Sequence, residues 1–367
     1  MPYAPMYKLV RPIFFAQKPE RAHAFFQSLG SLLARSPFKS LIKFFYDFED
    51  SRLHVEALGM SFKNPIGLAA GFDKHAKLSE FLPALGFGFT EIGSVSARPA
   101  EGNPKPRLFR LPEDRALINR MGLNNEGAEV IAHRINGQHL EIPLGINIVK
   151  TNDSLIMGAD AISDFCASFQ TLYQLSSFMV INISCPNTAD GKTFEDPVTL
   201  DSLLRALRAA ETKFTMRKPT LIKLSPDVSE EVLDQILVVT KKHHISGYVV
   251  MNTSVARAGL KTSDATLESM GKGGLSGEPI KTWAVELVSY IYKKLDKPFI
   301  IGCGGVSSAE DAYDLIKAGA TLVELYTGLI YEGPGLVKQI NKGLVQLLQR
   351  DGYKTIQEAV GTYKPEP

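Results

Sequence analysis

The segment VINISCPNT, residues 180–188, is an apolar run that stops abruptly in the polar residues Asn182, Ser184, Cys185, Pro186 and Asn187. A strand with one face in water alternates apolar and polar residues, whereas a near-continuous apolar run marks a strand covered on both faces. The polar end of such a strand must open onto something other than core.

Seven further runs share this character: PIGLAAG (65–71), GFTEIGSV (88–95), PLGINIV (143–149), TLIKLS (220–225), GYVVMNT (247–253), PFIIGCGG (298–305) and TLVELYTG (321–328). Together with FMVINIS (178–184) they alternate with amphipathic segments of helix length. Eight such units over roughly 290 residues predict an α/β fold, a (β/α)8 TIM barrel, whose usual core is about 250 residues. An open doubly wound sheet is the alternative, but no G-x-G-x-x-G turn follows the first run.

At 367 residues, 44% apolar and 22% charged, the chain has material for a large core and the balance of a soluble globular protein. Its three cysteines, Cys166, Cys185 and Cys303, form no CxxC pair, which argues against a zinc site or a disulfide framework and suits a reducing compartment. No apolar run reaches the length of a membrane-spanning helix, and the N-terminus carries no long apolar stretch with a small-residue cleavage site.

The N-terminal region is built differently from the rest. Residues 1–46 hold seven Lys/Arg against the single acid Glu20, a net +6, which leaves −4 for the remainder, and they hold ten of the 33 aromatics. Pro19 suits the first turn of a helix, after which Phe25, Phe26, Leu29, Leu32 and Leu33 form one apolar stripe. A second start at Ser36-Pro37 places Phe38, Leu41, Ile42 and Phe45 on one face. Two short amphipathic helices are therefore expected, and residues 1–46 divide as a helical extension from a barrel at 47–367. Their basic charge and apolar faces suit an anionic membrane surface; packing on the barrel is the alternative.

Two gaps between runs, 96–142 and 254–297, are long enough to wall a site, since barrel chemistry sits on the loops after the strands. The second contains GKGGLSGEP (271–279), expected to be a flexible glycine-rich segment.

In a barrel the strand ends converge on one mouth, here collecting Gly71, Asp73, Lys74, Ser94, Asn147, Asn182, Lys223, Asn252, Thr253, Gly305, Tyr326 and Thr327. An isolated asparagine at a strand end is usually a cap or a turn. Four at the ends of these runs, Asn147, Asn182, Asn187 and Asn252, suit a hydrogen-bonding cage for a ring with alternating carbonyl and N–H groups. Lys223 lies inside an apolar run, where it needs a partner: either an internal salt bridge or negative charge on an electron-rich ligand. GCGGV and YTG close the seventh and eighth runs, the usual place of a phosphate site in such barrels. Cys185, at a polar strand end beside Pro186, suits proton abstraction at neutral pH; a nucleophilic role would need a histidine, and only His75 is near a strand end.

The strand ends resemble those of the dihydroorotate dehydrogenase family through GLAAGFDK (67–74), EIGSV (91–95), GNPKPRLFRL (102–111), INRMGLNNEG (118–127), NISCPNT (182–188), GGLSG (273–277) and LYTG (325–328), in family order and across nearly the whole chain. The resemblance implies FMN at the barrel mouth, held by Ala69, Ala70, Gly71, Asp73, Ser94, Asn147, Asn182, Lys223, Met251, Gly277, Gly305, Tyr326 and Thr327. It implies that Lys74, Asn119, Met121, Gly122, Leu123, Asn182, Asn187, Asn252 and Thr253 hold dihydroorotate. Cys185 would take the C5 proton while C6 delivers hydride to the flavin, and Lys223 would steady the reduced ring.

Within the family, soluble class 1 enzymes use fumarate or NAD, and membrane-associated class 2 enzymes use a quinone and carry an N-terminal helical extension. KPERAH (18–23) resembles class 2, which implies a quinone site at His23, Arg110 and Tyr326 and a peripheral place on the cytoplasmic face of the cell membrane, in pyrimidine synthesis, with no metal and no nucleic acid. Two residues depart: Cys185 stands where class 2 usually has serine, and Met251 where it usually has threonine. Competing expectations are a class 1 acceptor, a tRNA dihydrouridine synthase, which wants a basic mouth that the −4 barrel does not offer, and a cofactor-free phosphate-binding isomerase or lyase.

Overall fold

The computed structural model describes residues 4–184 and 193–363. Eight parallel strands close into a barrel in chain order: β1 (Ile66–Leu68), β2 (Phe89–Val95), β3 (Leu144–Ile148), β4 (Phe178–Asn182), β5 (Thr220–Leu224), β6 (Gly247–Val250), β7 (Ile300–Cys303) and β8 (Leu322–Leu325). Each lies within one of the eight apolar runs.

Glycine lets the N-terminal end of the barrel strands fill with aromatic rings. A Cβ on Gly67 would overlap the Phe89 ring, and one on Gly145 would overlap the Phe178 ring. In both cases glycine and phenylalanine are paired across neighbouring strands, so the ring occupies the space of the missing side chain. Phe62, from a small hairpin that precedes the barrel, packs edge-on against Phe89.

Among the described residues, helices follow seven of the strands, several with capped starts: Asp196 accepts from Thr199 ahead of Pro197–Glu211, Ser229 from Val232 ahead of Glu230–Lys242, and Ser308 from Asp311 ahead of Ala309–Ala318. Between β1 and β2 stands only a short 3-10 turn, Leu82–Leu85, and an N-terminal helix packs on it.

Three helices, not two, precede the barrel: α1 (Ala4–Phe15), α2 (Pro19–Ala34) and α3 (Phe38–Tyr46). The first runs through Pro12, a residue that argues against a helix interior when only the sequence is read. All three are tied to the barrel side. Tyr7 donates to the Ile330 carbonyl at 2.7 Å, Gln27 to the Phe72 carbonyl at 3.0 Å, and Lys338 to the carbonyl of Phe45 at 2.7 Å. Their apolar residues divide between two surroundings: Phe26, Leu33 and Ile42 line a cavity between helices and barrel, while Leu32, Phe38, Leu41 and Phe44 are exposed. No helix among the described residues is long and apolar enough to cross a membrane.

The glycine-rich segment expected to be flexible instead contains a strand, Gly274–Gly277. It pairs antiparallel with Ala116–Asn119, which pairs with Leu108–Leu111, so the two long gaps meet in one three-stranded sheet. Glycine at 274 is required by close approach, since a Cβ there would collide with Thr253 Oγ1.

Candidate active site

Register and strand length bring the polar strand ends together. Asn182 is paired with Lys223 across β4 and β5, and Cys303 with Glu324 across β7 and β8. A cavity opens above them, walled by the three-stranded sheet through Leu108, Leu117, Asn119, Ser276 and Gly277.

Most of the residues expected at the mouth line this one cavity: Ala69, Ala70, Gly71, Lys74, Ser94, Asn119, Met121, Gly122, Leu123, Asn182, Lys223, Met251, Asn252, Thr253, Gly277, Gly305, Tyr326 and Thr327. Two do not. Asp73 is fully buried and accepts the backbone N–H groups of Lys77 (2.9 Å) and Leu78 (2.8 Å), so its carboxylate shapes the loop after β1. Asn147 is fully buried and donates Nδ2 to Glu91 Oε1 at 2.8 Å, which places it behind the lining. Cys185 and Asn187 lie outside the described residues.

The amides form a chain across the mouth. Asn182 donates Nδ2 to Ser94 Oγ at 2.9 Å and accepts from the Ser184 hydroxyl at 3.2 Å; Asn252 donates Nδ2 to that hydroxyl oxygen at 2.9 Å. Strand ends β2, β4 and β6 are thereby fixed relative to one another, and a planar ligand would meet a preformed row of donors and acceptors.

Lys223 has the internal salt bridge that its position demanded. Its Nζ lies 3.0 Å from Glu91 Oε1 and 3.9 Å from Glu324 Oε2, and all three side chains are buried. Burial lowers its basicity, but the charge of Glu91 outweighs that and holds the Lys223 ammonium above the ordinary lysine range. Lys223 and Glu324 also line the cavity, so the ion cluster is its floor.

On the opposite wall, Gly305 has φ +72° and a Cβ there would meet Lys281 at 2.6 Å; Ser276 and Thr327 share a hydroxyl contact of 2.8 Å. Gly304 and Gly305 line the same cavity as Ser276 and Thr327, and the backbone N–H groups of a glycine pair beside two hydroxyls form a cradle suited to an anion. The amide row, the ammonium at the floor and this cradle fit a planar, hydrogen-bonding cofactor that ends in a phosphate.

A second cavity, of about 370 Å³, lies between the N-terminal helices and the barrel. Phe14, Phe26, Leu29, Leu33 and Ile42 line it, and His23 and Arg110 bring nitrogen-bearing side chains to its wall. Arg110 donates to the Gln17 carbonyl at 2.8 Å and stacks over Phe15 at 4.7 Å, so it pins the turn between α1 and α2. Burial, reinforced by the Lys74 ammonium, holds His23 down at about 4. Tyr326 lines the first cavity only, but Leu108 and Leu117 belong to both.

A family profile described as dihydroorotate dehydrogenase matches residues 52–348. A relative from Natronomonas pharaonis named dihydroorotate dehydrogenase (quinone) is 39% identical over 97% of this chain and 99% of its own length. The chain belongs to the dihydroorotate dehydrogenase family. A Rhodococcus erythropolis relative of the same name is 40% identical over 98% of this chain and 100% of its own. The crystal structure of dihydroorotate dehydrogenase from Eimeria tenella in complex with ferulenol superposes with a TM-score of 0.86 at 31% identity, covering 96% of this chain and 98% of that one.

Members of this family are flavin-dependent oxidoreductases, which agrees with the donor set of the first cavity. Several residues in or behind the cavity walls are not singled out by the sequence. Glu91 and Glu324 are acids within apolar strand runs, the same anomaly that singled out Lys223, and could have been found by it. Phe72, Leu108 and Leu117 carry no such signal, because an apolar residue on a cavity wall looks like core.

Proposed function

We propose that this chain oxidises dihydroorotate to orotate in pyrimidine synthesis, with FMN in the barrel-mouth cavity and a quinone in the apolar cavity under the N-terminal helices. The observation that carries this reading is the pair of adjoining cavities, one polar with an ammonium at its floor and one apolar, with Leu108 and Leu117 as their common wall.

Lys223, Asn182 and Ser94 would bind the FMN ring, and Gly305 with Thr327 its phosphate. When bound, FMN would supply two-electron redox chemistry between dihydroorotate and the quinone. Lys74, Asn119 and Asn252 would orient the substrate's carboxylate and ring, with Asn187 and the segment Met121, Gly122 and Leu123 closing the other side. Cys185 would accept the C5 proton as the C6 bond breaks, which is general base work for a thiolate. Lys223 would stabilise the negative charge that gathers in the ring.

On the N-terminal helices, Leu32, Phe38, Leu41 and Phe44 leave apolar side chains in water. With Lys8 and Arg35 also exposed on this extension, the surface suits peripheral attachment to the cytoplasmic face of a membrane, from which a quinone would enter.

Anaerobic addition of dihydroorotate should bleach the flavin of the purified protein, and a quinone analogue should restore its colour. Reoxidation by fumarate or NAD in place of the quinone would assign a class 1 acceptor, the habit with which cysteine at 185 agrees. A colourless protein without flavin would refute the reading.

A further inference from the structure

Three ionisable side chains meet at the floor of the barrel-mouth cavity: Glu91 from β2, Lys223 from β5 and Glu324 from β8. Both glutamates are fully inaccessible. Glu91 Oε1 takes the Lys223 ammonium at 3.0 Å and the Asn147 amide at 2.8 Å. Glu91 Oε2 and both oxygens of Glu324 have no donor among the described residues. Cys303 faces the same group from β7, and burial pushes its thiol up to about 12, so it contributes no charge near neutrality.

Two ionised carboxylates and one ammonium would leave a net negative charge in the barrel interior, with three oxygens lacking a hydrogen-bond donor. Both conditions are costly away from water. Neighbouring buried carboxyl groups resolve this by sharing one proton. Glu91 has the closer ammonium and an amide donor, so it keeps the charge. Glu324, at 3.9 Å from the ammonium and with no donor of its own, takes the proton. Burial and the charge of Glu91 push the Glu324 acid well above the ordinary carboxylate range.

We propose that Glu324 is a positioning residue that works as a neutral acid, donating its O–H to Glu91 and so completing a charge-balanced triad with Lys223 beneath the cofactor. The consequence is electrostatic. A proton on Glu324 prevents the Lys223 ammonium from being cancelled twice, so the cofactor ring faces no net negative charge when it gains electrons. Ionised Glu324 would oppose reduction of the ring.

This inference deepens the flavin reading and rests on it for its consequence, but the proton itself can be observed without any redox step. The test compares infrared spectra of the purified holoprotein with those of Glu324→Gln near neutral pH, together with flavin reduction potentials. The expected result is loss of a neutral-acid carbonyl band in Glu324→Gln with no change in potential, because a neutral amide replaces a neutral acid. An unchanged carbonyl region together with a raised potential would overturn the proposal, since a real negative charge would then have been removed.

Glu91→Gln supplies an independent arm that does not depend on how Glu324→Gln folds. Without the charge on Glu91, Glu324 becomes the partner of Lys223 and ionises, so its carbonyl band should vanish; a band that persists would refute the shared proton. A protein that binds no flavin would refute the functional reading, while the carbonyl bands would still decide the protonation of Glu324.

Discussion

His23 and Tyr326 each set a ring edge-on against Phe72, with centroids 4.9 Å and 5.2 Å from it. Tyr326 lines the cavity at the barrel mouth and His23 the apolar one, so Phe72 joins the two sites through packed rings. Each edge-on pair contributes about 1 kcal/mol beyond burial. Phe72→Leu keeps an apolar filler but releases both contacts. Stopped-flow measurement should find flavin reduction by dihydroorotate nearly unchanged and reoxidation by quinone slowed about tenfold, the rate equivalent of roughly 1.4 kcal/mol. Equal slowing of both half-reactions would show that Phe72 serves the first cavity as much as the second.

The lowered basicity of His23 makes the N-terminal helices sensitive to acid. Folded, His23 titrates at about 4, against 6.5 in an open chain, so between these pH values the unfolded chain binds a proton that the folded one does not. Stability from this group is complete above about pH 6.5 and falls as the pH drops towards 4, by about 2 kcal/mol at pH 5. Lys74 and His75 face the ring and strengthen the effect. Protection of the α2 amides, taken as exchange relative to the intrinsic rate at each pH, should therefore fall between about pH 7 and about pH 5, and His23→Gln should remove most of that fall.

How much of this was legible in the sequence depended on whether a residue's role is local. The eight barrel strands show because burial on both faces leaves an unbroken apolar run in each. Lys223 shows because a charge inside such a run needs a partner, although nothing in the run says that the partners are Glu91 and Glu324, 132 and 101 positions away in the chain. The strand Gly274–Gly277 did not show, because its pairing with Ala116–Asn119 is distant in sequence and its glycines, which admit close backbone approach, look like a flexible loop. Helix α1 was hidden by Pro12. Strand position and the family resemblance both place Asp73 and Asn147 at the mouth, and their side chains turn instead to the backbone of Lys77 and Leu78 and to Glu91.

Arg107 connects α2 to the segment proposed to hold substrate. Its Nε lies 3.2 Å from Glu20 Oε2, and its Nη1 donates to the carbonyls of Glu101 (2.7 Å), Asn103 (3.1 Å) and Met121 (3.4 Å). The guanidinium is buried, so Arg107→Met strands Glu20 and three carbonyls and should cost roughly 3 kcal/mol. With Met121 released, KM for dihydroorotate should rise about fivefold while flavin content is retained, a loss of roughly 1 kcal/mol in substrate binding. Glu20→Gln preserves a hydrogen bond and should do less in both urea unfolding and steady-state kinetics.

Cys185 is the proposed base for the C5 proton. Cys185→Ala should retain flavin and lose most turnover, and full activity in that variant would dismiss the assignment. Cys185→Ser should keep substantial activity with its pH profile moved to the alkaline side, because a hydroxyl needs a stronger base or a water relay to accept the proton.

Lys223 should prove harder to remove alone than together with its partner. Lys223→Met leaves the charge of Glu91 buried with only the Asn147 amide at 2.8 Å and the Glu324 acid to compensate it. Breaking a buried pair from one side costs about 3–5 kcal/mol, most of it the penalty of the stranded charge. Replacing both members, Lys223→Met with Glu91→Gln, removes that charge and should recover most of the loss in urea unfolding. Flavin reduction by dihydroorotate should stay impaired in the double variant, because the ammonium that stabilises the electron-rich ring is still missing. Stability and activity would thus separate: the first depends on the balance of charge at the barrel floor, the second on the positive member of it.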